Sequence, residues 1–437
     1  MRPIARILVL ALLLGGISAL AACGDEGEES EGDFAGLSIE TCEQVEYGGE
    51  GDPEALIVSD LPMQGDSAER SEQQVEAIRL ALEQREWRAG ELAVGFQACD
   101  DSSAETGLWD EQICRTNAEA YAADERLLGV VGTYNSGCAA VEIPILSEGR
   151  LAMISPGNTA VCLTEASRTC EDFDPATLYR KGGRNYVRVV PNDAFQGAAL
   201  AEFARDQGIE SPLVLYAAGD PTSTGQAANF RGAAEQLGIE LAGYETWDPE
   251  ASGYAELFDR ARRSGADGVV LAGLTEQNGA KLIADKVKGL GSNEKVPLLA
   301  FDGFTQQATI DEAGDASRGM FASITGRAPE ALSGTGEAFV GELEERVGGK
   351  PLELYAPYAG ESAEVLLDAI ATAGSDREAV IEAMFATERD DGILGSYEIG
   401  EHGDPSVGPV TIFEAAETFE RRDEVVPSQG AVSAAGR

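Results

Sequence analysis

VVGTYNSG, residues 130–137, starts as the end of an apolar, β-branched run and changes at Gly132 into small residues carrying hydroxyl, amide and backbone donors. The run before it, LLGVVG (127–132), has the composition of a buried strand, and the apolar AAVEIPIL stretch from Ala139 reads as the next helix. A turn from strand end to helix start presents the helix's first N–H groups, which have no partner within the helix. With the Ser136 hydroxyl beside them, they make a cradle for a carboxylate or similar group. The same grammar returns downstream, where RLAMIS (150–155) is a strand and Pro156, Gly157, Asn158 and Thr159 form a polar turn past its end. Two such turns at the ends of neighbouring strands make half of a binding site.

The alternation extends along the chain. Strand-like runs occur at EALIVSD (54–60), LAVGF (92–96), YVRVV (186–190), PLVLYA (212–217), DGVVLAG (267–273) and VPLLAF (296–301). Helical patterns lie between them. SEQQVEAIRLALEQRE (71–86) places Val75, Ile78 and Leu82 on one face, and AELFDRARRSGA (255–266) closes with the Ser-Gly of a helix stop. Strand and helix alternating at this spacing predict an α/β fold of doubly wound parallel sheets, too many strands for one sheet and therefore two domains. Ligands of such sheets sit beyond the carboxyl ends of the strands.

The N-terminus has the order of an export signal. A short segment with Arg2 and Arg6 precedes an apolar run too short to span a bilayer comfortably, and Leu20-Ala21-Ala22-Cys23 closes it. That quartet resembles a bacterial lipobox, which implies a signal peptide over 1–22 and a lipidated Cys23 anchoring the chain to the outer face of the cell membrane. The acidic, Gly-rich segment that follows cannot bury enough surface to fold, and 23–52 is expected to be a flexible tether. With 77 Asp and Glu against 32 Lys and Arg, the net charge of −45 excludes a nucleic-acid binder and tilts the ligand toward a zwitterion or cation. The six cysteines after Cys23 have no CxxC spacing, so disulfides are favoured over a metal site. Cys162 and Cys170 would close a short loop. Of the fifteen ways to join six cysteines, Cys114 with Cys138 and Cys42 with Cys99 is one completion.

Enzyme chemistry lacks parts. There is one histidine, His402, in the turn GEHGDP, so Ser-His-Asp, Cys-His and multi-His metal sites cannot be assembled. No P-loop or dinucleotide fingerprint is present, and no cofactor is expected. The adjacent pairs Asp100-Asp101 and Asp390-Asp391 read as a loop and a solvated turn.

The ordered set GTYNSG, ISPGNT, GRNYVRVVPNDAFQGAALAEF and ILGSYEIGEHGDP resembles the substrate-binding proteins of branched-chain amino acid ABC transporters, the leucine/isoleucine/valine-binding family. DLPMQG (60–65) and residues 109–132 are similar to a lipoprotein subgroup of it. The resemblance implies a type I periplasmic-binding fold with a multi-strand hinge. Its lobes would comprise 53–189 with 325–390, and 190–324 with 391–420, followed by a disordered tail over 421–437. It implies a monomer that closes around an amino acid or similar zwitterion and delivers it to ABC permease subunits; the alternative is a sensor of the same fold feeding a signalling partner. By position, Ser136, Gly137, Gly157, Asn158 and Thr159 would hold the ligand carboxylate and Asp302 its ammonium, with Gln64, Leu274 and Thr275 lining the pocket. Two ring positions of the family are held here by Leu274 and Thr224, which removes stacking surface.

Overall fold

The structure, a computed structural model, describes residues 36–437 apart from residues 168, 169, 171 and 172 and the side chain of Asp66. The signal peptide and Cys23 lie outside the described residues. The first lobe is laid down as β1 (Ala55–Leu61), α1 (Ala68–Gln84), β2 (Arg88–Ala89), β3 (Leu92–Asp100), α2 (Glu111–Ala123), β4 (Leu127–Gly132), α3 (Ser136–Glu148), β5 (Ala152–Ser155), α4 (Pro175–Leu178) and β6 (Tyr186–Arg188). The chain then crosses into α5 (Asp193–Asp206), β7 (Pro212–Ala217), α6 (Pro221–Leu237), β8 (Gly243–Trp247), α7 (Ala255–Ser264), β9 (Gly268–Ala272), α8 (Gly279–Leu290), β10 (Leu298–Ala300), α9 (Gln307–Ala313) and β11 (Phe321–Thr325). It returns to the first lobe for α10 (Thr335–Arg346), α11 (Ala356–Ala373), α12 (Arg377–Phe385), β12 (Glu388–Gly392) and β13 (Gly395–Glu398). A third crossing leads to β14 (Val410–Ala415), β15 (Phe419–Val425) and α13 (Gln429–Ala435).

Each lobe is built on one sheet. The first has strand order β2-β3-β1-β4-β5-β6 and the second β15-β14-β11-β10-β9-β7-β8. All pairings from β3 to β6 and from β8 to β11 are parallel; antiparallel pairing is confined to β2 at one end of the first sheet, to β14 and β15 at one end of the second, and to the separate β12–β13 hairpin. Central strands β1, β4 and β9 are buried along their whole length, which is why they read as unbroken apolar runs. On α1, Val75, Ile78 and Leu82 all enter the first-lobe core, where burying each contributes about 1.5–3 kcal/mol. α7 stops at Gly265, whose φ of 80° places it in the left-handed region, as the Ser-Gly signal requires.

Three boundaries differ from expectation. The third crossing falls after residue 399 rather than near 390. The β12–β13 hairpin stays with the first lobe because Ile393, Tyr397 and Ile399 pack into its core and the buried Glu361 carboxylate accepts from Tyr397 Oη at 2.7 Å and Ile393 N at 2.6 Å. Residues 421–437 are no disordered tail: β15 pairs with β14, and α13 buries Ala431 and Ala435 in the core formed by α5 and α6. The latter part of the expected tether, from residue 36, runs against β3, where Glu46 and Phe96 exchange backbone hydrogen bonds and a disulfide joins Cys42 to Cys99. A sheet edge left bare would otherwise offer unpaired backbone groups to another chain.

Cys114–Cys138 and Cys162–Cys170 are also disulfides, so all three bridges lie in the first lobe. Around α3 that lobe encloses Asp60, Asp101 and Glu142, all fully buried, so the loop that carries Asp101 turns this carboxyl into the interior. Asp60 accepts from Asn117 Nδ2 at 3.1 and 3.3 Å and shares a hydrogen bond with the Glu142 carboxyl, while both Asp101 oxygens have no hydrogen-bond partner. Burial pushes Asp60 up to about 6 and the other two well above the usual carboxylate range. A folded pKa above the unfolded one means that the stabilising contribution is full below the unfolded value and fades as pH rises through the folded value. The stability of the parent relative to Asp60→Asn should therefore fall as pH rises from 4.5 to 7, by at most about 1.4 kcal/mol per pH unit. Calorimetric melting of both proteins across that range checks this, and a pH-independent difference would refute it.

Candidate functional site

The loops that leave β4, β5, β7, β9 and β10 at their carboxyl ends converge on one cavity between the lobes, with about 50 Å³ of internal space. The first-lobe wall carries Tyr134, Asn135, Ser136, Gly137, Gly157 and Thr159. Facing it in the second lobe are Asp220, Thr222 and Gln226 from the start of α6, Leu274 and Gln277 after β9, and Asp302 after β10. Trp109, from the segment that leads into α2, closes the first-lobe side.

The two donor turns are stitched together by side chains. Ser155 Oγ, at the end of β5, donates to Thr133 O at 2.8 Å and accepts from the N–H groups of Gly157 and Asn158 at 3.1 and 2.9 Å. Asn158 Nδ2 donates to Tyr134 O at 2.9 Å, and Ser136 Oγ accepts from Ala160 N at 3.3 Å. The side chain of Asn135, at the cap position of α3, makes no cap hydrogen bond, which leaves the first-turn N–H groups at Ser136 and Gly137 for a bound group. Glycine is required at 137 because a Cβ there would lie 2.3 Å from Trp109 Cζ2. Position 303 is similarly tight, since a Cβ would meet Gly273 O at 2.3 Å where the β9 and β10 loops converge.

On the opposite wall Asp302 accepts from Gln226 Nε2 at 2.8 Å, and the same amide reaches Asp193 Oδ1 at 3.3 Å. Burial raises both carboxyls; Asp302 rises to about 6 and Asp193, which also feels the charge of Asp302, to about 8. Of the two, Asp302 is the member that lines the cavity. Asp193 also holds the Thr159 hydroxyl, and its N–H donates to Thr159 O at 2.7 Å, which ties the second donor turn to the start of α5.

The structure thus brings Ser136, Gly137, Gly157, Thr159, Leu274 and Asp302 to the cavity. Three other expected residues are turned away. Asn158 is spent on the scaffold by its amide, its N–H and an Oδ1 that accepts from Tyr186 Oη at 3.1 Å. Thr275 Oγ1 bonds Gly303 O and Thr309 Oγ1, and Gln64 donates to Asp100 Oδ2 at 2.6 Å and to Ser102 O. The N–H of Gly157 is likewise engaged by Ser155, so that residue lines the cavity without offering a backbone donor.

Sequence reading misses several residues that shape the site. Asp220, Gln226 and Gln277 belong to it without any local motif that marks them. The buried Arg70, on α1, stacks its guanidinium 3.9 Å above the Tyr134 ring and donates across the cleft to Gln306 Oε1 at 2.9 Å, while Gln306 Nε2 holds Glu276 at 2.9 Å. Arg188 on β6 is fully buried; it pairs with Asp404 at 2.6 Å and donates to the carbonyls of Asn158 and Ala160 at 3.0 and 2.9 Å. It fastens the second donor turn to the third crossing. Among the described residues the one cluster with metal-ligand spacing is Asp101, Cys114 and Cys138, whose sulfurs are joined in a disulfide.

Two α/β lobes joined by three crossings, with a cavity lined from both sides by the ends of their strands, define a cleft-type solute-binding protein. The chain belongs to the periplasmic binding protein family, whose sequence profile matches residues 61–419, and like its relatives it is a binding protein rather than an enzyme. A Leu/Ile/Val-binding protein homologue of Brucella abortus is 23% identical over 388 residues, covering 87% of this chain and 95% of that protein. The crystal structure of a leucine binding protein from Thermotoga maritima superposes with a TM-score of 0.73 at 23% identity, over 85% of this chain and 99% of that one. A solute binding protein of an ABC transporter from R. palustris, solved with 4-hydroxybenzoate, gives 0.71 at 14% identity, over 85% and 97%.

Proposed function

We propose that this protein is an extracytoplasmic lipoprotein that captures an amino acid, or a similar small zwitterion, between its lobes and delivers it to an ABC permease. The observation that carries the reading is the opposition of the walls: uncharged donors of the α3 turn and Ser136 on one side, the Asp302 carboxylate on the other. A carboxylate seated on the first and an ammonium on the second would satisfy both, and a ligand held at each end favours the closed form. The hinge is the set of three crossings, which permits rotation of one lobe against the other.

A thermal-shift screen of residues 24–437 against amino acids and small aromatic acids tests this. A ligand at 100 times its dissociation constant adds about 2.7 kcal/mol to stability, and the scattering radius of gyration should shrink with the same ligand. Stabilisation by 4-hydroxybenzoate and by no amino acid would sink the zwitterion reading. The anchor rests on Cys23: Cys23→Ala should move the exported protein from the detergent phase to the aqueous phase, and unchanged partitioning would remove the anchor from the proposal.

A further inference from the structure

We infer that the ligand is a short amino acid whose side chain itself donates hydrogen bonds, and that Asp220 is the residue that selects it. The inference rests on the zwitterion reading above and deepens it. Space is the first argument. The cavity is small, about 50 Å³ of internal space against about 150 Å³ for an apolar cavity that admits benzene, which favours ligands at the small end of the amino acids.

Polarity is the second argument. Leu274 is the one aliphatic side chain among the lining residues, and beyond Asp302 the second-lobe wall continues as Asp220, Thr222 and Gln277. Charge is the third. Two carboxylates, Asp302 and Asp220, line the cavity, and no Lys, Arg or His is among its lining residues. The α-ammonium of a zwitterion answers Asp302; Asp220 then remains for a second donor.

Asp220 has the capacity to accept it. Its Oδ2 accepts from Ser223 N, the Ser223 hydroxyl and Gln277 Nε2, while its Oδ1 accepts from Thr222 N at 3.1 Å. A carboxylate has about four lone-pair sites, and Oδ1 therefore keeps one. Gln277 also accepts from Leu274 N at 2.9 Å through Oε1, so the Asp220–Gln277 pair is positioned from two loops before any ligand arrives. A leucine side chain placed against it would strip water from a carboxylate and return no hydrogen bond. A hydroxyl, amide or ammonium would bond to it instead.

Titration calorimetry with serine, asparagine, 2,3-diaminopropionate, alanine and leucine tests the inference. The best of the first three should bind at least tenfold tighter than alanine or leucine, the increment expected of a hydrogen bond to a charged group. Asp220→Asn and Asp220→Ser both keep a side chain that can cap α6, and each should collapse the ratio of donor ligand to alanine toward one. Leucine or alanine binding as well as the best donor overturns the inference and leaves the zwitterion reading standing. A ratio preserved in both variants overturns the role of Asp220. Binding of none of the five overturns the inference together with the reading beneath it.

Discussion

Asp302→Asn is expected to weaken binding of the preferred amino acid by about 2–5 kcal/mol, roughly thirty-fold to several thousand-fold in affinity. The substitution keeps the shape of the side chain and removes its charge, and Gln226 remains to bond to the new amide oxygen. What is lost is the partner of the ligand's ammonium group in a water-poor cavity, where leaving one charge of a pair uncompensated is the main cost. Ser136→Ala is the comparison. It removes one neutral hydroxyl from a wall that also offers helix N–H groups, and should cost about 1 kcal/mol. Calorimetry on both variants reads the order directly. An Asp302→Asn protein that binds as tightly as the parent while Ser136→Ala does not would mean that the ligand has no amine.

Arg188→Met should destabilise the fold by about 3–5 kcal/mol, the cost of breaking a buried ion pair by removing one partner. It leaves Asp404 without its cation and takes donors away from the carbonyls of Asn158 and Ala160 and from Thr164 Oγ1. Because those carbonyls shape the second donor turn, ligand affinity should fall too, by more than Ser136→Ala causes. Denaturant unfolding and calorimetry check the two effects. If Arg188→Met unfolds like the parent, the arginine is not what fastens the turn to the third crossing. Asp404→Asn, which keeps an acceptor but not a charge, should show a smaller loss of the same kind.

The strands that were legible in the sequence are those buried on both faces: β1, β3, β4, β5, β6, β7, β9 and β10 announce themselves as short apolar runs. The outer strands β8 and β15 were not. β15 reads FERRDEV and exposes most of its charges, and β8 is half-buried along most of its length, so neither shows a continuous apolar run. α13 is built of Gly, Ala, Val and Ser, which resembles a tail until α5 and α6 supply a surface for Ala431 and Ala435. The donor turn at Ser136 could be found because a change from strand to helix marks it locally. Asp302 rested on family resemblance, and Arg70, Asp220 and Gln226 carried no signal, since each meets its partners only after distant segments have come together.

The confinement of all three disulfides to the first lobe has a practical side. Every cysteine after Cys23 is consumed there, so residues 24–437 contain no sulfhydryl in the second lobe. A cysteine engineered on the second-lobe wall, at the half-exposed Thr222 for instance, would be the one place a maleimide dye could attach. If the lobes close on a ligand as proposed, its emission would change as water leaves the cleft, which turns the molecule into an optical reporter of its own solute.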